Sequence, residues 1–171
     1  MNSLQQSVSQ LIETKNYPDV IKEALRLIVD GKMNSLALDE LLASRNIRRI
    51  TDMKEYTLDV ILDYAEIALA DNVLTNEELT NMRMLKLFFK IQERDFDKNG
   101  KMKRVSAILT KQLERLYADN VIDKEEMLHK TELQGLFDLN YDEYCQIVNK
   151  VAKEAINRGA DIKDLDTFIK K

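Results

Sequence analysis

The segment from Asp95 to Ser106 has the residue types of a calcium loop over its first half. Asp95, Asp97, Asn99 and Gly100 stand at positions 1, 3, 5 and 6 of the 12-residue pattern, where alternate side-chain oxygens converge on a hard cation and glycine permits the sharp turn. Position 12 should supply a bidentate carboxylate, but it is Ser106, and Lys98, Lys101, Lys103 and Arg104 oppose cation binding. Asp95, Asp97 and Asn99 are therefore only weak metal candidates. The expectation is an Asp/Asn/Gly turn between helices, without tight calcium binding.

A second acidic group comprises Asp119, Asp123, Glu125, Glu126 and His129. Glu125 and His129 are spaced i, i+4, so both could face one divalent ion, but Asp123 and Glu126 have a sufficient role as helix caps. Capping plus a solvated face is the expected reading, with no metal and no cofactor. Cys145 is the lone cysteine and the only histidine lies in a different expected helix, so burial as a small apolar residue outweighs a thiol nucleophile. No Gly-rich phosphate loop, serine elbow or paired-cysteine motif occurs in the sequence. The chain is expected not to be an enzyme.

The elements that must position these residues are helical. Charged residues make up 33% of the 171 positions while Gly (4) and Pro (1) are scarce, which suits long helices with solvated faces. Apolar residues recur near every 3.6 positions: Leu4, Val8, Leu11 and Ile12 in a first helix, then Ile21 to Val29, closed at Gly31 by a left-handed cap after Pro18 opens it. A third helix covers about 36–45 and closes at Asn46. Thr51 is an N-cap candidate for the longest pattern, with Met53, Tyr56, Val60, Tyr64 and Ile67 along one side and Leu58, Ile61, Leu62, Ala65 and Leu69 widening it. So broad an apolar face places that helix centrally. Further helices are expected at about 76–91, 103–118, 124–138, 141–158 and 162–170.

An internal repeat is the strongest signal. Residues 66–96 align without a gap on 114–144 at an offset of 48, with identities at Ala70/Ala118, Asp71/Asp119, Asn72/Asn120, Val73/Val121, Glu77/Glu125, Glu78/Glu126, Leu85/Leu133 and Phe89/Phe137. Turn and core positions both match, so the repeated object is a supersecondary unit. In each copy Asn72 or Asn120 ends the first helix, Val73-Leu74 or Val121-Ile122 plugs the corner, and Thr75 or Asp123 caps the second helix with Glu78 or Glu126 three residues on. Phe88, Phe89 and Phe137, with Leu85 and Leu133, are the expected core between the hairpins. Met82, Met84, Met102 and Met127 would fill that core or, as the sharper alternative, line an adaptable groove. A weaker third copy, from Ile28 to Met33 followed by Asp39 to Leu42, needs an insertion to align. The expected fold is all-α: an antiparallel helical bundle of two or three repeated αα-hairpins, about eight or nine helices. Residues 1–50 hold the N-terminal helices, with the degenerate copy, and 51–171 the duplicated region, in one compact domain.

The motif Ala-Asp-Asn, an apolar pair, a capping residue and Glu-Glu is carried by Ala70 to Glu78 and by Ala118 to Glu126. It resembles the helical family typified by the tellurite-resistance protein TerB, over roughly Tyr56 to Val151, with Asn where that family usually has Gly. The resemblance implies a non-catalytic bacterial interaction module of stress-response assemblies, its acidic turn residues sometimes proposed as metal contacts.

Charge and leader sequence bound the partners. A net charge of −4 disfavours a nucleic-acid binder. The basic clusters Arg45/Arg48/Arg49 and Lys98/Lys101/Lys103/Arg104 fall near turns and read as solvated loop charge. The N-terminus lacks a signal-peptide pattern and no apolar run approaches a membrane span, so a reducing cytoplasmic location is expected. The expected partner is a protein, of basic character where it meets an acidic edge of Asp71, Glu77, Glu78, Asp119, Asp123, Glu125 and Glu126. The alternative function is that of an immunity protein, an antitoxin neutralising a basic toxin domain such as a nuclease, since complementary charge steers fast association.

Overall fold

Several helices in this chain begin where a side chain can accept the free backbone N–H groups of a first turn, and several end where a residue tolerates the left-handed conformation. The computed structural model describes residues 3–71, 74–116 and 131–157. Among them all regular structure is helical: α1 (Leu4–Thr14), α2 (Asp19–Val29), α3 (Ser35–Ser44), a 3₁₀ turn (Ile50–Met53), α4 (Lys54–Asp71), α5 (Asn76–Phe88), the single turn α6 (Asp95–Lys98), α7 (Met102–Leu116), α8 (131–136) and α9 (Tyr141–Asn157). No described helix is long and apolar enough to cross a membrane.

The local signals explain most of the boundaries. Ser3 and Gln6 form a capping box on α1, Pro18 precedes α2, and the Asn34 side chain accepts from Ala37 N–H at the start of α3. Gly31 (φ 72°) ends α2, and Asn46 (φ 55°) follows α3, as their types suggest. Thr51 is not a cap. It lies inside the 3₁₀ turn that runs directly into α4, so the helical start needs no side-chain acceptor there.

Helix α4 is the central element, packed antiparallel against neighbours and touching α1, α5 and α7; α2 packs on α1 and α3, and α9 on α7. Because neighbours surround it, it buries the broad apolar face expected of it, except at its edges. Leu58, Val60, Ile61, Leu62, Tyr64, Ala65 and Leu69 are fully buried, whereas Tyr56 is exposed and Ile67 only partly covered. Burial of that many large side chains is the main favourable contribution to the fold.

Five described helix ends share one geometry, those of α2 and α6 through Gly31 and Gly100 and three others through a residue other than glycine. After α3, α5 and α8 the chain turns through a left-handed residue, Asn46, Lys90 and Asp138 respectively. In each case the next N–H, of Ile47, Ile91 or Leu139, donates to the carbonyl five residues earlier, of Leu42, Lys86 or Gln134. The last two sets sit 48 residues apart, atom for atom. Gln92 N–H then donates to the Asp95 carboxylate (2.6 Å), as Asn140 N–H does to Glu143 (2.9 Å).

Candidate functional site

The acidic edge is described only in its first half. Thr75 Oγ1 accepts from Glu78 N–H while the Glu78 carboxylate accepts from Thr75 N–H (2.8 Å) and from the Thr75 hydroxyl (2.9 Å), the reciprocal box expected from the sequence. Leu74 is fully buried, and its N–H donates to Gln112 Oε1 (2.8 Å) on α7. Glu77 is exposed beside the box and takes no part in it. Asp71 is the last residue of α4, its side chain outside the description. Asn72, Val73, Ala118, Asp119, Asn120, Val121, Ile122, Asp123, Glu125, Glu126, Met127 and His129, and the helix expected at 162–170, lie outside the described residues.

Among the described residues, the densest charge cluster is one that spacing along the chain did not single out. Asp59, Asp63 and Glu66 occupy one face of α4 at i, i+4, i+7, and the cations that meet them come from two other places. The α1–α2 corner brings Lys15 Nζ to Asp63 (2.8 Å) and the Tyr17 hydroxyl, which donates to the other Asp63 oxygen. From α7, Arg104 donates to Asp59 (2.9 Å), Asp63 (2.8 Å) and Glu66 (2.8 Å), and Lys101 to Asp59 (2.8 Å). Lys101 and Arg104 are thus not solvated loop charge: the residue before α7 and the first turn of α7 deliver them onto the acidic face of α4. Burial alone would raise the Asp63 carboxyl, but the hydrogen bonds from Lys15, Tyr17 and Arg104 outweigh it and hold the group below the usual carboxylate range. Burial and the neighbouring Asp63 push the Tyr17 hydroxyl the other way, up.

The would-be calcium loop is occupied by protein cations. Lys54 Nζ reaches the Asp95 carboxylate at 2.6 Å, Arg94 pairs with Asp97 at 2.6 Å, and Asn99 Nδ2 donates to the Asp95 carbonyl (2.8 Å). Asp95 also begins α6, and its carboxylate accepts from Gln92 N–H in the turn before it. Against the effect of burial, Lys54 and that N–H lower its pKa. Among the described residues no group of three or more His, Cys, Asp or Glu is placed to hold a metal ion.

A cavity of about 550 Å³ opens between α5 and α8, lined by Leu87, Ile91, Gly135 and Leu136 with Arg83, Lys86 and Glu132 at its edges. Leu87 is 79% exposed and Met84 43%, while Met82 is fully buried, so methionine does not line this groove. Arg83 pairs with Glu132 (3.3 Å) and Lys86 with Asp138 (3.0 Å), both across the gap between the helices.

No family model matches the chain, and no curated protein or solved structure shows significant similarity to it.

The remaining candidates are dispersed. Arg45 pairs with Glu23 and Arg49 with Asp52, on the exposed surface, and Arg48 is exposed. Cys145 is half-buried on α9. Of the expected core residues, Leu85, Phe89, Leu133 and Phe137 are buried to within 1% and Phe88 to 8% exposure. The ionic cluster had a legible half, the acids at helical spacing, but its cations are separated from Asp63 by 41 and 48 positions and carried no local signal.

The pKa directions set an expected pH profile. Asp63 and Asp95 are depressed in the folded state, so the unfolded chain takes up protons first as pH falls; their contribution is complete at neutral pH and is lost below about pH 4. Burial pushes the Tyr64 hydroxyl up to about 12, so its contribution is complete below about pH 10 and is lost as pH rises from about 10 to 12. Urea midpoints measured from pH 3 to 11 should form a plateau that drops at both ends. Asp63→Asn should flatten the acid limb specifically; an unchanged acid limb would mean that Asp63 does not carry the coupling.

Proposed function

We propose that the chain is a non-catalytic protein–protein interaction module of the TerB-like kind, built from a duplicated αα-hairpin and recruiting a basic protein through the acidic turns of its repeats. The duplication is supported by the pairs of helix-end hydrogen bonds at Phe89 to Ile91 and Phe137 to Leu139, which recur at the same offset of 48 as the sequence identities. A third hairpin, α2–α3, ends with the same turn at Asn46.

The observation that carries the functional reading is the division of labour among the acids. Asp59, Asp63, Asp95 and Asp138 are each tied to a cation on another element, and Glu78 is consumed by its capping box. Glu77 is left exposed at the positive end of α5, where a carboxylate is stabilised and available to an external cation. Its sequence counterpart is Glu125. Exposed charge of this kind steers association more than it adds contact energy.

Pull-down should first identify the partner. Glu77→Lys/Glu125→Lys protein is then expected to bind it with an association rate lowered by about 10-fold or more at low salt, with the difference shrinking as salt is raised. Unchanged rates at both ionic strengths, with circular dichroism intact, would remove the acidic edge from the binding surface.

A further inference from the structure

Leu87 and Gly135 are counterparts in the repeat, 48 residues apart, yet both line the same α5–α8 groove and they differ as much as two residues can. Leu87 stands out of the surface, four-fifths exposed. Gly135, in the last turn of α8, makes a flat spot: a Cβ built there meets nothing within 4 Å, and its φ is not in the left-handed range. Among the described residues, neither backbone geometry nor packing requires glycine at this helical position, where it is disfavoured. What the site provides is close approach for a group from outside.

The walls are also complementary in charge. The α5 side carries Arg83 and Lys86, and the α8 side Glu132 and Asp138, each basic group already reaching across to an acidic one. A second α5 laid over α8 would bring the same basic wall to the same acidic wall, with Leu87 above the gap left by Gly135. A surface that holds both a projection and its matching recess, with opposite charge on the two sides, meets itself under a two-fold rotation.

We propose that a second copy of this chain occupies the α5–α8 groove through a two-fold interface, in which Leu87 of each protomer seats over Gly135 of the partner subunit. Arg83, with 44% of its side chain exposed, can shift to Glu132 of the partner subunit, while the largely covered Lys86–Asp138 pair stays within each protomer, so no charge is stranded. The surface is separate from Glu77, ten positions earlier on α5, so the dimer stands independently of the acidic-edge reading.

Sedimentation equilibrium of the full chain over about 1 to 100 μM should show a reversible monomer–dimer equilibrium. Leu87→Glu and Gly135→Leu should each weaken dimerisation by at least about 10-fold, the first by placing charge in the apolar contact and the second by filling the recess. Both should leave circular dichroism and thermal midpoint near the parent values, because one side chain is exposed and the other position is open. Glu77→Lys should leave the dimer intact even if it abolishes partner binding. Geometry is read by mixing Leu87→Cys and Gly135→Cys proteins, each also carrying Cys145→Ser, under mild oxidation: the crosslink between the two different variants should dominate over either homodimer. A chain that stays monomeric throughout, a dimer indifferent to both substitutions, a groove filled by a different protein on a monomeric chain, or homodimer crosslinks equal to the mixed one would each overturn the proposal.

Discussion

Phe89→Ala and Phe137→Ala are each expected to lower the free energy of unfolding by about 3 to 5 kcal/mol, among the largest effects of single truncations in this fold. Both rings are essentially inaccessible to solvent, and both sit at the residue just before a left-handed turn. Phe137 meets Phe96 edge to face, with centroids 5.5 Å apart, and Phe89 meets Phe88 in the same manner at 5.1 Å. Removing either ring leaves a cavity that the rigid helix ends cannot close, so the lost transfer energy and the cavity term add. Urea denaturation with a shared m-value would measure both. Similar costs at the two positions would agree with equivalent places in a repeated unit; a near-neutral result at one, with a large loss at the other, would count against it.

The second large effect is expected at Asp63. The carboxylate side chain is 8% exposed and receives Lys15, Tyr17 and Arg104 together, so Asp63→Ala leaves a buried hydroxyl and two cations short of their acceptor. Breaking a buried ion pair by removing one partner costs about 3 to 5 kcal/mol, and the partial exposure of Lys15 and Arg104 lets them recover some hydration, which points to about 3 kcal/mol here. Asp63→Leu is a sharper comparison, since an apolar replacement packs but still strands the cations. Combining it with Arg104→Leu and Lys15→Met should restore stability partly or wholly, because a buried ionic group often contributes little against a well-packed apolar one. A single Asp63→Ala loss below about 1 kcal/mol would show that the cluster is a surface arrangement in energetic terms.

The difference between what could and could not be read from sequence follows from the range of the interactions. Gly31, Asn46, and Thr75 with Glu78 act on backbone within a few residues of themselves, so type and spacing suffice to place them; Ser3 with Gln6 is a box of the same local kind that was not read from the sequence. Thr51 misled because a capping residue is informative only where a helix starts from extended chain, and here a 3₁₀ turn feeds α4 directly. The basic run Lys98 to Arg104 looked like solvated loop charge because its acidic partners lie about forty positions upstream, on α4. Leu87 sits in the run Leu85 to Phe89, whose other apolar members Leu85, Phe88 and Phe89 are buried; its outward direction follows from how α5 is rotated against α4, a tertiary fact. The groove beside it was for the same reason invisible until α5 and α8 were set side by side.

The clasp on Asp63 also imposes an order on synthesis. Lys15 and Tyr17 precede Asp63 by 48 and 46 residues, so both are already made when α4 is translated, whereas Arg104 follows 41 residues later. At about 5 to 20 residues per second that interval is roughly 2 to 8 s. During it the nascent chain can secure one side of Asp63 with its own N-terminal corner, while Asp59 and Glu66 still face solvent without the cations that α7 will bring. The N-terminal helices would then shield α4's apolar face from the moment it emerges, and α7 would arrive on a partner already held in place.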